Sequence, residues 1–177
     1  WQVDRVVISS WEKGQLKTYT FNNISIASLP PGRQINVPVQ TASDIVNKEL
    51  RIENIAFPGY ALNVETGTLL AGPIGDGAWS ALWTLKKVPG TEYYWIENKW
   101  KTGWRMHMET GPLAAAVIQD GAWSAHWTIQ QAPGGGYYIE NRYRTGSRIF
   151  LSGGKLLASI PSAADMSGAM WMMREIK

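Results

Sequence analysis

The chain of 177 residues contains no cysteine, which excludes disulfide bonds, thiolate metal sites and cysteine nucleophiles. Its two histidines, His107 and His126, leave little for a histidine-based zinc site or a Ser-His-Asp triad. No apolar run approaches the roughly 18 residues that a membrane-spanning helix requires. The 17 Lys and Arg against 14 Asp and Glu are spread along the chain, which argues against a nucleic-acid-binding tail.

Motifs for cofactors and catalysis are also missing from the sequence. There is no Gly-rich phosphate loop, no nucleophile elbow and no metal-ligand spacing, so we expect no cofactor, no metal and no catalytic residue. The chain begins at Trp1 without a basic segment followed by an apolar one. We therefore expect a processed chain or a segment excised from a longer one.

Aromatic and turn-forming residues are abundant instead. The chain has 10 Trp, 7 Tyr and 3 Phe, with 18 Gly and 9 Pro, and 45% of its residues are hydrophobic. This composition excludes a disordered chain and indicates a folded protein with many turns. The length suits one domain, or one domain with an appendage.

A repeated segment organises most of the sequence. Residues 77–85 recur as 121–129, and the tripeptide Ile52-Glu53-Asn54 recurs at the same spacing and again as Ile139-Glu140-Asn141. The third copy is degenerate around Met166. The chain from about 49 to 177 is therefore three units, at about 49–90, 91–134 and 135–177.

Each unit is expected to contain four short strands. In the second unit these are 93–98, 105–109, 113–118 and 125–130, which are aromatic, β-branched or alternating and are separated by Thr-Gly turns. Twelve such strands in three equal units predict an all-β fold, a β-trefoil of three internal repeats. A propeller is the alternative, but three blades are fewer than propellers normally have.

Each unit ends in a tryptophan, at Trp83, Trp127 and Trp171, which we expect to fill the core. With these tryptophans the sequence resembles the ricin-B-like β-trefoil lectins, whose units end in Gln-x-Trp. Here the three positions read Ala-x-Trp. The resemblance implies a carbohydrate-binding trefoil.

Residues 1–48 lie outside the repeats. Segments 5–8, 16–21, 24–27 and 35–39 have strand-like composition, but the stretch is too short for an immunoglobulin-like sandwich. We expect either a β arm, an N-terminal β-strand extension of the trefoil, or the remnant of a preceding domain. Its open edges suggest a homo-oligomer formed through these strands.

Two aromatic loops are candidates for ligand contact. Trp79 and Trp123 lie in Asp-Gly-Ala-Trp-Ser segments that begin with Asp76 and Asp120. A tryptophan flanked by glycine and an acid is typical of a platform on which a sugar ring stacks. The sequence equally allows these rings to be buried in the core.

The resemblance implies further polar positions. Asn63, His107 and Phe150 each lie between two apolar residues of a strand and are expected to point outward, where the resembled lectins carry a sugar-binding acid. The cooperating position falls on Ser80, Ser124 and Gly168, so the expected polar pairs are Asn63 with Ser80 and His107 with Ser124. The usual stacking ring is absent, which leaves Trp79, Trp104, Trp123 and Tyr60 to replace it.

Recurring glutamates have two interpretations. Glu109, equivalent to Glu65, is either a turn-forming residue or part of the site. Glu53, Glu97 and Glu140 recur in every unit with their asparagines, which suggests a structural role.

Two loops concentrate positive charge around an aromatic residue, and the matching loop of the first unit has no cation. Strand-like alternation would place four of these cations on one face, where an anionic partner would meet them together; an ordinary solvated hairpin is the alternative. The candidate anion-binding residues are Lys99, Lys101, Arg105, Arg142, Arg144 and Arg148.

The sequence thus predicts a non-enzymatic, lectin-like protein that binds glycans or glycoproteins, is secreted or extracellular, and could target a toxin or hydrolase to its glycan. The alternative is a protein-binding trefoil, such as a protease inhibitor or the receptor-binding module of a toxin. A hydrolase lacks any catalytic constellation in this sequence.

Overall fold

The computed structural model describes residues 2–12, 15–25, 42–133 and 135–176. The chain divides into two compact parts, an N-terminal part of residues 1–39 and a C-terminal part of residues 40–177 that contains the three repeat units. In the N-terminal part, strands β1 (Gln2–Glu12) and β2 (Gln15–Ser25) form an antiparallel two-stranded sheet, with Gln2 opposite Ser25. The strand predicted at 35–39 lies outside the described residues.

Residues 40–177 are a β-trefoil, as predicted from the repeats. Each unit contributes four short strands, connected by turns in which glycines such as Gly103 and Gly146 adopt positive φ. The strands are β3 (Glu49–Asn54), β4 (Tyr60–Asn63), β5 (Leu70–Pro73), β6 (Leu82–Lys87), β7 (Tyr94–Asn98), β8 (Trp104–His107), β9 (Ala114–Val117), β10 (Trp127–Gln131), β11 (Tyr137–Asn141), β12 (Arg148–Ser152), β13 (Lys155–Ser159) and β14 (Trp171–Glu175).

Six of these strands close into a ring. Strand β3 pairs with β6, β6 with β7, β7 with β10, β10 with β11, β11 with β14, and β14 returns to β3. The other six form three antiparallel hairpins, β4–β5, β8–β9 and β12–β13, one in each unit. Closure of the ring leaves its strands without free edges.

The three repeated tryptophans fill the core, which confirms the prediction. Trp83, Trp127 and Trp171 are fully buried, and each indole Nε1 donates to a carbonyl oxygen of a hairpin strand at 2.8–2.9 Å. The hydrogen bond satisfies the indole N–H in an apolar interior. Each tryptophan therefore links the hairpin of its own unit to the closed ring of six strands.

The predicted fourth strand of the second unit begins later than expected. Residues Trp123–Ala125 form a short 3-10 turn, and strand β10 begins at Trp127. The first unit has the same turn at Trp79–Ala81. In the part of the chain that the structure describes, no helix has the length and apolar character to cross a membrane.

Candidate functional site

The two loop tryptophans lie on the surface. Trp79 and Trp123 are 60% and 55% exposed, so neither ring is buried in the core. Each begins its 3-10 turn, whereas the serines that follow, Ser80 and Ser124, are buried. The turn therefore presents a large ring to solvent directly beside a buried hydroxyl.

A carboxylate meets this hydroxyl in both units. The Ser80 hydroxyl donates a hydrogen bond to the Glu65 carboxylate, and the Ser124 hydroxyl donates to that of Glu109. A hydrogen bond to a charged acceptor is shorter and stronger than one between neutral groups. Glu65 and Glu109 are therefore held beside their tryptophans and are not only turn-forming residues.

Asn63, His107 and Phe150 are not part of the apolar core cluster, which contains their neighbours along each strand, but the expectation that they are open to a ligand is wrong because all three are buried. The turn that follows in each unit covers the outer side of their strand. In the second unit, for example, the Met108 amide donates to the Ser124 carbonyl at 3.1 Å. The polar pairs Asn63–Ser80 and His107–Ser124 do not form.

Asn63 and His107 instead position the glutamates. The Glu65 amide donates to Asn63 Oδ1, and the Glu109 amide donates to His107 Nδ1, each at 3.2 Å. Burial lowers the pKa of His107, and the nearby Glu109 carboxylate partly opposes this effect. The neutral imidazole that burial favours is the form that can accept the Glu109 amide.

An open cleft lies at the second unit's turn. It has a volume of about 270 Å³ and is lined by Glu109, Gly121, Ala122, Trp123, Ser124 and Tyr143. A second depression of about 530 Å³ shares Glu109 and Ala122 with it and continues to Val117, Ile118 and Gln119. The Glu109 side chain thus borders two adjoining depressions.

The third unit supplies one wall of this cleft. Asn141 Nδ2 donates to the Ser124 carbonyl at 2.8 Å, while Asn141 Oδ1 accepts from the amides of Tyr143 and Arg144. The asparagine thereby holds the Tyr143 loop against the serine turn of the preceding unit. The structural role predicted for the recurring Ile-Glu-Asn motif is confirmed for its asparagine.

The first unit repeats this construction. Asn98 donates to the Ser80 carbonyl at 2.9 Å and accepts from the amides of Trp100 and Lys101. The equivalent of Tyr143 is Trp100, which is 43% exposed. Two equivalent sets of side chains result. They are Glu65, Trp79, Ser80 and Trp100 in the first unit, and Glu109, Trp123, Ser124 and Tyr143 in the second.

The third unit lacks this set. Ser152 and Gly168 replace the glutamate and serine, and a Cβ on Gly168 would lie 2.0 Å from the Leu151 carbonyl oxygen. Asn54 makes the same bridge to the Gly168 carbonyl, but the amides it binds belong to Ala56 and Phe57. The degeneracy expected from the sequence thus removes the carboxylate, the hydroxyl and the exposed tryptophan together.

Three residues expected at the site do not line the cleft. Asp120 is exposed but pairs with Arg105 at 2.5 Å, and Asp76 pairs with Arg174 at 3.3 Å and with Arg51 at 3.5 Å. Trp104 packs partly buried against the core. Both aspartates neutralise arginines of the fold.

Arg105 and Arg148 were expected among the anion-binding cations, but they pair with carboxylates of the protein. Arg105 Nε lies 2.8 Å from Glu97, and Arg148 Nε lies 3.3 Å from Glu140. Burial raises the pKa of Glu97, but hydrogen bonds from Lys86 and Arg105 outweigh it and bring the net pKa below its usual value. Glu97 therefore stays ionised and keeps its ion pair with Arg105.

The cations expected on one face are also dispersed. Residues 99–103 form a loop, so strand alternation does not apply to them. The Lys99 ammonium lies 4.7 Å from the Trp79 ring centroid and pairs with Glu49, whereas the Lys101 ammonium lies 4.1 Å from the Trp100 ring centroid. Each lysine thus stacks on a different ring of the first unit's set.

Arg142 makes the equivalent contact in the second unit. Its guanidinium lies 3.9 Å from the Trp123 ring centroid, and its Nη1 donates to His126 Nδ1 at 3.1 Å. Burial lowers the pKa of His126, and the Arg142 and Arg105 cations lower it further, although Asp120 opposes them. A neutral His126 can accept this hydrogen bond and so helps to hold the Arg142 guanidinium against the Trp123 ring. Trp123 remains 55% exposed despite this contact.

Three members of the two sets, Glu65, Trp100 and Tyr143, are not among the site residues predicted from the sequence. Glu65 could have been included, because it stands where Glu109 stands one repeat later. Trp100 and Tyr143 occupy equivalent positions between two cations. Their place in the preceding unit's cleft has no sequence signal, because it depends on contact between units.

Comparison with known proteins finds the fold but no family. No family model matches the chain, and no curated protein matches its sequence. A mosquitocidal holotoxin superposes with a TM-score of 0.65 at 15% identity, covering 74% of this chain. The endo-β-galactosidase from Clostridium perfringens that releases GlcNAcα1-4Gal superposes with a TM-score of 0.63 at 21% identity, covering 76%.

These two proteins are much longer than the present chain, which spans 17% of the holotoxin chain and 33% of the galactosidase chain. SeviL, solved with asialo-GM1 saccharide, is similar over its whole length. It superposes with a TM-score of 0.59 at 16% identity, covering 75% of this chain and 100% of its own. At these identities the similarity establishes the fold.

Proposed function

We propose that the trefoil is a non-enzymatic, lectin-like carbohydrate-binding module with one glycan site in each of its first two units. The observation that carries this proposal is the repeated combination of an exposed tryptophan and a glutamate–serine pair. The apolar face of a sugar ring stacks on an indole, while sugar hydroxyls donate to a carboxylate. The second depression beside Glu109 gives room for a further sugar unit.

The chemistry of the cleft supports binding without hydrolysis. Glu109 is the one carboxylate among the residues that line the described cleft. Glycoside hydrolysis generally requires two carboxyl groups about 5–10 Å apart, one as acid and one as base or nucleophile. A single carboxylate that accepts from Ser124 fits hydroxyl recognition.

The setting of the module is part of the proposal. Trefoils of this fold occur within the holotoxin and the galactosidase, and SeviL carries one as its whole chain. We infer that the present trefoil directs a larger secreted toxin or hydrolase to glycans or glycoproteins outside the cell. This role would place the chain in a secreted or extracellular location.

A glycan array tests the proposal with three forms of the protein. The natural chain should bind a defined set of glycans, and a Trp79→Ala, Trp123→Ala double variant should bind none. An Ile160→Ala variant provides the control, because Ile160 is 74% exposed and does not line the described cleft. Its glycan profile should be unchanged.

Circular dichroism should show that the double variant is folded, because neither ring is buried. A natural chain that binds no glycan would overturn the proposal and leave the protein-binding interpretation. Equal binding by the natural chain and the folded double variant would show that the two tryptophans are not the platforms.

A further inference from the structure

The six cations predicted to meet an anion differ in whether the fold already uses them. Five have a carboxylate, ring or imidazole partner, as described above for Arg105, Arg148, Lys99, Lys101 and Arg142. The sixth, Arg144, is exposed. Within residues 42–133 and 135–176 its guanidinium makes no ion pair, hydrogen bond or ring contact. Among the described residues, nothing therefore competes with an external anion for this guanidinium.

Arg144 lies at the edge of the second unit's cleft. It follows Tyr143, a lining residue, and its backbone amide is held by Asn141 Oδ1 at 3.2 Å. Its Nη2 atom lies 3.8 Å from the position that a Cβ on Gly111 would occupy. Because Gly111 is two residues from Glu109, the guanidinium reaches the turn that carries the cleft's carboxylate.

The equivalent cation of the first unit behaves differently. Lys101 folds onto the Trp100 ring, and no described atom beyond the chain neighbours lies within 4 Å of a Cβ placed on Gly67, the counterpart of Gly111. Among the described residues, no cation therefore reaches Gly67 in the way that Arg144 reaches Gly111. The two sets share their ring, carboxylate and hydroxyl but differ at this position.

The local charge differs in the same direction. Arg142 and Arg144 flank Tyr143, a lining residue of the second cleft, and the one carboxylate in that lining is Glu109. Lys99 and Lys101 flank the equivalent Trp100, and Lys99 pairs with Glu49 at 2.6 Å. Counted with Glu65, Glu49 and Glu109, the two cations exceed the carboxylates at the second cleft and equal them at the first set.

We propose that the second unit's cleft selects glycans that carry an anionic group, a carboxylate or a sulfate, and that Arg144 binds this group. The first unit's set then binds neutral glycans. A guanidinium offers two parallel N–H donors to a planar carboxylate and also binds sulfate oxygens. Glu109 and Trp123 would hold a neutral sugar ring of the same glycan. This inference rests on the proposed function.

The experiment isolates the second cleft by placing Trp79→Ala in every variant. Titration calorimetry then compares lactose and N-acetyllactosamine with their sialylated and sulfated forms, at low and at physiological salt. Arg144→Gln tests the proposed residue. Lys101→Gln is the matched control, because it removes the equivalent cation of the first unit. Both side chains lie on loops, so the variants should fold.

The anionic forms should bind about tenfold more tightly than their neutral parents, which is the scale of a hydrogen bond to a charged group. Arg144→Gln should remove this preference and leave neutral binding unchanged, while Lys101→Gln should leave both unchanged. The preference should shrink as salt rises. The sialylated and sulfated arms show which anion is preferred.

Neutral and anionic forms that bind equally would overturn this inference and leave the proposed function standing. An Arg144→Gln variant that keeps the preference, or loses neutral binding equally, would overturn the role of Arg144. Binding of none of these probes would overturn the inference as well. The glycan array then decides separately whether the proposed function fails.

Discussion

Asn141 Nδ2 donates a hydrogen bond of 2.8 Å to the carbonyl oxygen of Ser124, and this bond joins the third unit to the cleft of the second. Both groups are buried, so the bond forms away from competing water. Asn98 and Asn54 make the equivalent bonds to the other two units. Each unit therefore completes the surface of its predecessor.

Removing one of these asparagines should affect stability and binding separately. Asn141→Ala should lower the free energy of unfolding by about 1–3 kcal/mol and abolish binding at the second cleft, because buried hydrogen bonds are lost and Tyr143 is released. Asn54→Ala is the matched control, since it bridges the third unit, which has no ring and carboxylate set. It should cost similar stability but keep both sites. Denaturant unfolding measures the change in stability, and calorimetry measures the change in binding. Loss of both sites in Asn54→Ala would show that losing such a bond disturbs the whole trefoil and not one cleft.

The two tryptophans should contribute independent sites. Calorimetry of the natural chain should show up to two sites, and Trp79→Ala or Trp123→Ala should each remove one or weaken it by about 1–3 kcal/mol, the scale of an aromatic platform. Thermal unfolding should be unchanged, because both rings are exposed. A third equivalent site would contradict the assignment of the third unit as empty.

The second cleft should be sensitive to acid and the first should not. Burial lowers the pKa of His107, so its contribution to stability is present above about pH 6.5, its unfolded value, and is lost as the pH falls below it. Protonated Nδ1 cannot accept the Glu109 amide, so Trp79→Ala protein should bind less well once the pH falls below the lowered pKa that His107 has in the folded protein.

In the first unit Asn63 makes the equivalent bond and does not titrate, so Trp123→Ala protein should bind evenly across the same range. His107→Asn should make binding at the second cleft independent of pH in the same range. It should also reduce the loss of folding stability at acid pH. Identical pH profiles with and without the His107→Asn substitution would rule out this role for the imidazole.

Gly168 should be required by the third unit. An added Cβ would lie 2.0 Å from the Leu151 carbonyl oxygen, so Gly168→Ala should destabilise the fold by about 1–3 kcal/mol through overpacking. Gly121→Ala is the control, because no described atom beyond the chain neighbours lies within 4 Å of its added Cβ. Chemical denaturation compares the two, and equal stability would contradict the close approach. Serine cannot then be restored at 168 without moving Leu151.

The N-terminal strands should matter for assembly or stability. An isolated two-stranded sheet is only marginally stable, so we expect β1 and β2 to pack on the trefoil or to pair with another chain. Deletion of residues 1–41 should lower the melting temperature or the mass found by sedimentation. A truncated chain with the same mass and stability would show that the segment is a remnant.

The sequence alone determined the three-fold trefoil and its tryptophan core. Recurrence at a nearly constant spacing identifies equivalent positions, and a large apolar residue at the same point of every unit, such as Trp83, must have the same environment. The sequence also identified the tryptophan loops and the degenerate third unit, because aligning the third repeat with the two intact repeats shows which residues it has lost. The exposure of Trp79 and Trp123 was left open.

Tertiary structure decided what depends on contacts between distant residues. Alternation along a strand predicts Asn63 and His107 to be exposed, but a later turn of the same unit covers that side. Tyr143 reaches the preceding unit's cleft because Asn141 holds its loop there, and Lys99 is occupied by Glu49, 50 residues away. Charge counted along the chain could not separate Arg144 from the five paired cations, because an ion pair depends on distance in space and not on spacing in sequence.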